Sequence, residues 1–143
     1  MIRRFRREDL PRILEIERDA FPKSAYSRYT FLYYAKTIPD NFLVYEDDES
    51  GEVQGYVLFD DDGHIISIAV AREHRRRGIG TSLVRAVLRS SGGRAFVEVR
   101  ESNIGAQRFY EKLGFRRVGR APGYYEDEDA ILMELVASPS LPC

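Results

Sequence analysis

The chain has 143 residues, enough for one domain around a single core, and its 43% hydrophobic and 31% charged residues suit a globular fold rather than a disordered one. Its 22 basic and 23 acidic residues leave a net charge of −1, which disfavours general electrostatic binding to nucleic acid. Cys143 is the only cysteine, so an internal disulfide framework and a cysteine metal site are excluded; no apolar run reaches membrane-spanning length, and a cytoplasmic protein without membrane partners is expected.

Residues 1–5 read as a short edge strand. Leu10, Ile13, Leu14, Ile16, Ala20 and Phe21 then recur at helical spacing, with Asp9 and Pro11 suiting a helix start and Pro22 ending it. Residues 23–27 read as a loop and 29–37 as an aromatic helix of poor period. Strands are expected at 42–45, 53–59 and 64–70, joined by an acidic turn at 47–51 and a hairpin whose Asp62-Gly63 suits positive backbone angles. The strand at 64–70 is apolar on both faces apart from Ser67, which predicts a central position.

The next turn opens directly into a helix. It carries His74, Arg75, Arg76, Arg77, Gly78, Ile79, Gly80 and Thr81. The first amides of such a helix have no internal acceptor and carry the positive end of its dipole. Gly78 and Gly80 keep side chains out of an anion's way, and the three arginines add charge, so the turn reads as a seat for phosphate or pyrophosphate. It lacks the lysine of a P-loop and the third glycine of a dinucleotide fingerprint. An arginine-rich helix start on a solvated surface is the plain alternative.

Beyond it, Leu83, Val84, Val87 and Leu88 continue the helical stripe, 95–99 reads as a strand, and Ser102 or Asn103 can cap a further helix. That helix places Ala106, Phe109, Tyr110 and Leu113 on one face, and Gly114 closes it. Strands follow at 115–118 and 130–136, separated by a loop with Tyr124, Tyr125 and four consecutive acids. Residues 1–137 make one domain, and 138–143 are expected to be a short disordered tail. The order β-α-α-β-β-β-α-β-α-β-β predicts an α/β fold: a mixed central sheet of about seven strands with helices on both faces.

Arg75-x-x-Gly-x-Gly resembles the acetyl-CoA signature of the GCN5-related N-acetyltransferases (GNAT). Ser67-Ile68-Ala69-Val70, Glu98-Val99-Arg100, Asn103, Ala106, Tyr110-Glu111, Leu113-Gly114-Phe115 and Tyr124-Tyr125 extend the likeness. The set is similar to the RimI-type ribosomal-protein-alanine acetyltransferases and related archaeal N-terminal acetyltransferases. The resemblance implies a V-shaped opening between the strands at 64–70 and 94–99, with acetyl-CoA as cosubstrate and no metal. Ile68, Ala69, Val70, the turn from Arg75 to Thr81, Asn103, Ala106 and Tyr110 would hold it. Phe21, Tyr26, Tyr124 and Tyr125 would line the groove of a protein or peptide N-terminus, one candidate being a ribosomal protein, and the protein would be a monomer or weak dimer.

Within that resemblance Glu98 is the general base, Tyr110 the acid that protonates the departing thiolate, and His64 a residue that shares the base role. An α-amine, with a reference pKa of about 7.7–8.0, needs only a modest base near neutral pH. Each residue has a plainer reading: a strand-end carboxylate or partner of Arg100 for Glu98, a packed aromatic for Tyr110, an exposed hairpin-end imidazole for His64. His74 reads as a phosphate-side or surface residue. Acids 126–129 read as a solvated turn that could attract a cation. A transferase acting on small amines or lysine side chains, a non-catalytic acyl-CoA-binding module and an arginine-run nucleic-acid binder are the competing functions.

Overall fold

The computed structural model describes residues 1–137, so the tail expected over 138–143 lies outside the described residues. The chain runs β1 (Ile2–Arg4), a 3-10 turn, α1 (Leu10–Ala20), α2 (Arg28–Thr37), β2 (Phe42–Glu46), β3 (Val53–Phe59), β4 (Ile65–Val70), α3 (Ile79–Ser90), β5 (Arg94–Arg100), α4 (Ile104–Lys112), β6 (Arg116–Ala121) and β7 (Ala130–Val136). The expected element order holds. No helix among the described residues is long and apolar enough to cross a membrane.

The strands form two antiparallel sheets, β1-β2-β3-β4 and β5-β7-β6. One parallel bridge, His64 to Phe96, joins them, with the Phe96 N–H donating to the Gly63 carbonyl at 3.0 Å. Gly63 permits this contact in two ways. Its φ is +91°, and a Cβ there would lie 2.1 Å from the Arg94 carbonyl oxygen. Beyond the bridge β4 and β5 separate.

β4 is the fourth of seven strands across the joined sheets, the central place expected, but only one of its edges has a full ladder partner. β3 is the strand buried along its whole length, whereas β4 alternates between buried and half-buried residues. Two-sided apolar patterning does not distinguish a strand with two ladder partners from one whose second edge faces a cleft. β4 also carries a bulge: Leu58 pairs with Ser67 and Phe59 with Ile65, leaving Ile66 as the extra residue. An extra residue bends its strand and re-aims the side chains around it.

Two cores flank the sheets. Ile13, Leu14 and Ile16 of α1 and Phe31 of α2 pack on Phe42, Val44, Tyr56 and Leu58. On the other face, Leu83, Val84 and Val87 of α3 pack on Val57, Phe59, Val97 and Met133. Fully burying such a side chain is worth about 1.5–3 kcal/mol, so the helices are held by these stripes more than by propensity. Asp9, expected to start α1, does so indirectly. Its carboxylate accepts from the two terminal guanidinium nitrogens of Arg3 at 2.9 Å and from the Arg6 N–H at 2.7 Å, tying β1 to the approach of the helix.

Candidate active site

The splay between β4 and β5 opens a cleft with two connected halves. Phe21, Ile68, Asn103, Ala106 and Tyr110 line both. One half, of about 670 Å³, also has Tyr26, Ser67, Glu98, Tyr124 and Tyr125. The other, of about 1000 Å³, has Ala69, Val70, Arg75, Arg76, Gly78, Ile79, Gly80 and Thr81. Tyr26, Tyr124 and Tyr125, expected to bind an acceptor, thus fall on the first half only, and Ala69, Val70 and the glycine turn, expected to bind a cosubstrate, on the second only, while Phe21, Ile68, Asn103, Ala106 and Tyr110 border both. Arg77 departs from this pattern. It does not line the cleft and approaches His74 Nδ1 at 3.4 Å.

None of the backbone N–H groups of residues 76–81 finds an acceptor among the described residues, and the first amide to do so is Ser82, bonding to the Gly78 carbonyl at 3.0 Å. Six adjacent free donors at a helix start, with Arg75 and Arg76 beside them, are what a pyrophosphate requires. The turn is shaped by left-handed backbone at Arg76 (φ +65°) and Gly78 (φ +81°). Gly80 lines the cleft and has a packing reason besides the expected one. A Cβ there would press on the Phe109 ring at 3.0 Å, so this glycine serves the packing of α3 on α4. Asn103 caps α4, accepting from the Ala106 N–H at 3.0 Å, which leaves its amide nitrogen uncommitted among the described residues.

Strand alternation builds the wall of the acceptor half. Ala95, Val97 and Val99 point into the core, so Phe96, Glu98 and Arg100 share the opposite face of β5. Each meets a different partner. Phe96 stacks on the His64 ring at 4.8 Å and 8°. Glu98 Oε1 lies 2.8 Å from His64 Nε2 and accepts from the Tyr124 hydroxyl at 3.2 Å. Arg100 pairs with Asp127 at 2.7 Å and Glu128 at 3.0 Å and lies over the Tyr125 ring at 4.2 Å. Arg100 is thus taken by other carboxylates, and Glu98 is paired instead with an imidazole.

The Glu98 bond raises the His64 pKa, against burial, which lowers it; Asp60 adds to the rise. His64 sits behind Glu98 rather than on the cleft surface. Tyr110 is 5% exposed between the Phe109 and Phe115 rings, at 5.2 and 5.0 Å. Burial drives its hydroxyl pKa well above the usual value, so it stays protonated.

The acidic loop is exposed at Glu126 and Asp127, as expected of a turn, but its acids from Asp127 to Asp129 are pinned rather than free. Asp127 also meets Lys23 at 3.2 Å, Glu128 accepts from the Ser102 N–H at 2.8 Å, and Asp129 holds the Gly123 N–H at 2.8 Å and Arg120 at 3.1 Å. Three of the four acids are committed to holding the loop over the cleft. His74 bonds Glu52 at 2.9 Å, and Glu52, Glu73 and His74 come within ligand range of one another, with the Arg12 guanidinium 2.9 Å from Glu73.

Glu17 lines the acceptor half and was not singled out from sequence. The signal was present: it falls three and four residues after Leu14 and Ile13, a carboxylate on the apolar stripe of α1.

The Acetyltransferase (GNAT) family profile matches residues 10–115. The chain belongs to this family. It is an acetyl-CoA-dependent acetyltransferase with the GNAT fold. An uncharacterised N-acetyltransferase of Methanocaldococcus jannaschii is 43% identical over 142 residues, covering 93% of this chain and 89% of that protein. An N-alpha-acetyltransferase of Sulfurisphaera tokodaii is 37% identical over 153 residues, covering 92% and 90%. The crystal structure of Ard1 from Thermoplasma volcanium superposes with a TM-score of 0.83 at 28% identity, covering 96% of this chain and 98% of that one.

Proposed function

We propose that this acetyltransferase moves the acetyl group of acetyl-CoA directly to the α-amino group of a protein N-terminus, in the cytosol. The observation that carries the reading is the carboxylate–imidazole pair of Glu98 and His64, 2.8 Å apart, on the wall of the acceptor half. An α-amine is partly neutral near pH 7, and a base of modest strength removes its remaining proton as the new bond forms. The name of the Sulfurisphaera tokodaii relative, an N-alpha-acetyltransferase, supports the same acceptor.

In this reading the amine nitrogen attacks the thioester carbonyl carbon, a C–N bond forms and the C–S bond breaks. Glu98, paired with His64, takes the amine proton. Tyr110 lines both halves and remains protonated, so its hydroxyl can supply a proton to the leaving thiolate. The free amides of residues 76–81, with Arg75 and Arg76, hold the pyrophosphate; the open edge of β4 at Ile68 and Val70 takes the pantetheine amides. Phe21, Tyr26, Tyr124 and Tyr125 contact the first residues of the peptide. Ribosomal proteins are one source of such N-termini.

A product assay tests this. The protein is given acetyl-CoA with unmodified peptides or with small amines such as polyamines. Acetylated peptide is the expected product, and turnover confined to the small amines contradicts the proposal.

A further inference from the structure

Glu17 is a buried carboxylate that the reaction above leaves unused. It is 1% exposed and lies on the last turns of α1. Its donors come from three elements. Oε1 accepts from the Tyr56 hydroxyl of β3 and from the Ser67 hydroxyl of β4 at 2.6 Å, and Oε2 accepts from the Tyr26 backbone N–H at 2.9 Å. All three donors are neutral. Burying a carboxylate without a cation is costly, and an apolar residue would fill this place on the helix stripe without that cost.

The carboxylate does one thing an apolar side chain cannot: it ties the segment between α1 and α2 to β4, beside the bulge at Ile66. Among the described residues, its bond to Tyr26 is the one hydrogen bond made by the backbone N–H groups of residues 25–27. Tyr26 in turn lines the acceptor half together with Glu98 and Tyr124. Burial raises the Tyr26 hydroxyl pKa, and Glu17 and Glu98 both add to the rise, so this ring lies within electrostatic reach of the two carboxylates.

We propose that Glu17 is a positioning residue for acceptor recognition: it fixes the Tyr26 segment at a set distance from β4 and so places the wall that meets the first residues of the peptide. The inference rests on the α-amine reading above and assigns control of the acceptor side to a residue that need not touch the peptide. Glu17 does not line the cosubstrate half, so its effect is confined to one substrate.

Glu17→Gln tests the assignment. The amide keeps the size of the side chain but offers one acceptor oxygen to three donors and adds two donors of its own. With its oxygen on the two hydroxyls the amide sets an NH2 against the Tyr26 N–H, which loses its acceptor; the opposite turn makes the Tyr56 and Ser67 hydroxyls accept where they had donated and replaces a charged acceptor at Tyr26 with a neutral one. The expected result is a peptide KM raised about tenfold, with kcat within about threefold and the acetyl-CoA KM within about twofold of wild type. Amide hydrogen exchange at Tyr26 should quicken at least about tenfold while that of Leu14 inside α1 is unchanged. Tyr56→Phe is the companion variant. It disturbs the same buried cluster but leaves the Tyr26 N–H on its carboxylate, and the peptide KM should stay within about twofold of wild type. The proposal is overturned if Glu17→Gln leaves the peptide KM within twofold, if it raises both KM values together, or if Tyr56→Phe raises the peptide KM equally. A wild-type protein inactive on peptide α-amines would instead overturn the functional reading, and this proposal with it.

Discussion

Replacing Glu98 with Gln removes a proton acceptor while leaving most of the local geometry intact. Among the described residues Glu98 makes both of its side-chain hydrogen bonds through Oε1, with His64 Nε2 at 2.8 Å and from the Tyr124 hydroxyl at 3.2 Å. The amide oxygen of Gln can accept both, so neither the imidazole nor the tyrosine is left without a partner. The structural cost is limited to the charge-assisted part of one partly buried bond, about 1 kcal/mol. The catalytic cost is larger. A positioned general base contributes about 10²–10⁴-fold, so kcat at pH 7 should fall within that range. Acetyl-CoA affinity measured by calorimetry should stay within about twofold, because Glu98 does not line the cosubstrate half. The deficit should shrink as pH rises past the amine's own pKa of about 8, where free amine needs no base. A folded Glu98→Gln protein with kcat within threefold of wild type at pH 7 would refute the base assignment and leave a site that works by positioning alone.

Other perturbations read other parts of the account. The His64 pKa is raised by Glu98, so the pair gives up its proton only above the usual histidine value of about 6.5; kcat should climb through that limb as pH rises, and His64→Ala should abolish the limb in a pH–rate profile. Tyr110→Phe leaves amine deprotonation intact, so its kcat deficit should persist across the pH range that relieves Glu98→Gln. Arg76→Gly removes a charge beside the free amides and suits φ +65° better, so acetyl-CoA should bind about tenfold more weakly while urea unfolding shows stability unchanged or raised by up to about 1 kcal/mol. Gly63→Ala forces a Cβ to within 2.1 Å of the Arg94 carbonyl oxygen, and thermal unfolding should show a loss of more than about 3 kcal/mol, the bridge between the two sheets being broken.

Local pattern carried a large share of this structure. Alternation and turn residues give β3 and β7 the bounds observed, and one glycine-bearing turn after an apolar run points to the row of free amides at residues 76–81. The motif spacing names Glu98 and Tyr110, which the fold sets on one cleft, and His64, which it sets behind Glu98. What local pattern cannot carry is pairing over distance. Whether β4 has a neighbour on its second edge depends on how far β5 diverges after His64, which no property of residues 65–70 encodes. The acids at 127–129 look solvated because Lys23, Arg100 and Arg120 are separated from them by up to 104 residues. The second demand on Gly80, room for the Phe109 ring, is invisible locally because that ring lies on another helix. Glu17 was visible as a charge on an apolar stripe, but its three donors belong to a loop and two strands.

The central claim is that the amine seated beside Glu98 is an α-amine. Mass spectrometry of peptides carrying both a free N-terminus and an internal lysine, after reaction with acetyl-CoA, tests it most directly. The account predicts acetylation at the N-terminal nitrogen with the lysine largely unmodified, because a lysine amine, with a pKa of about 10.4, asks far more of the base. Predominant acetylation of the lysine would contradict it.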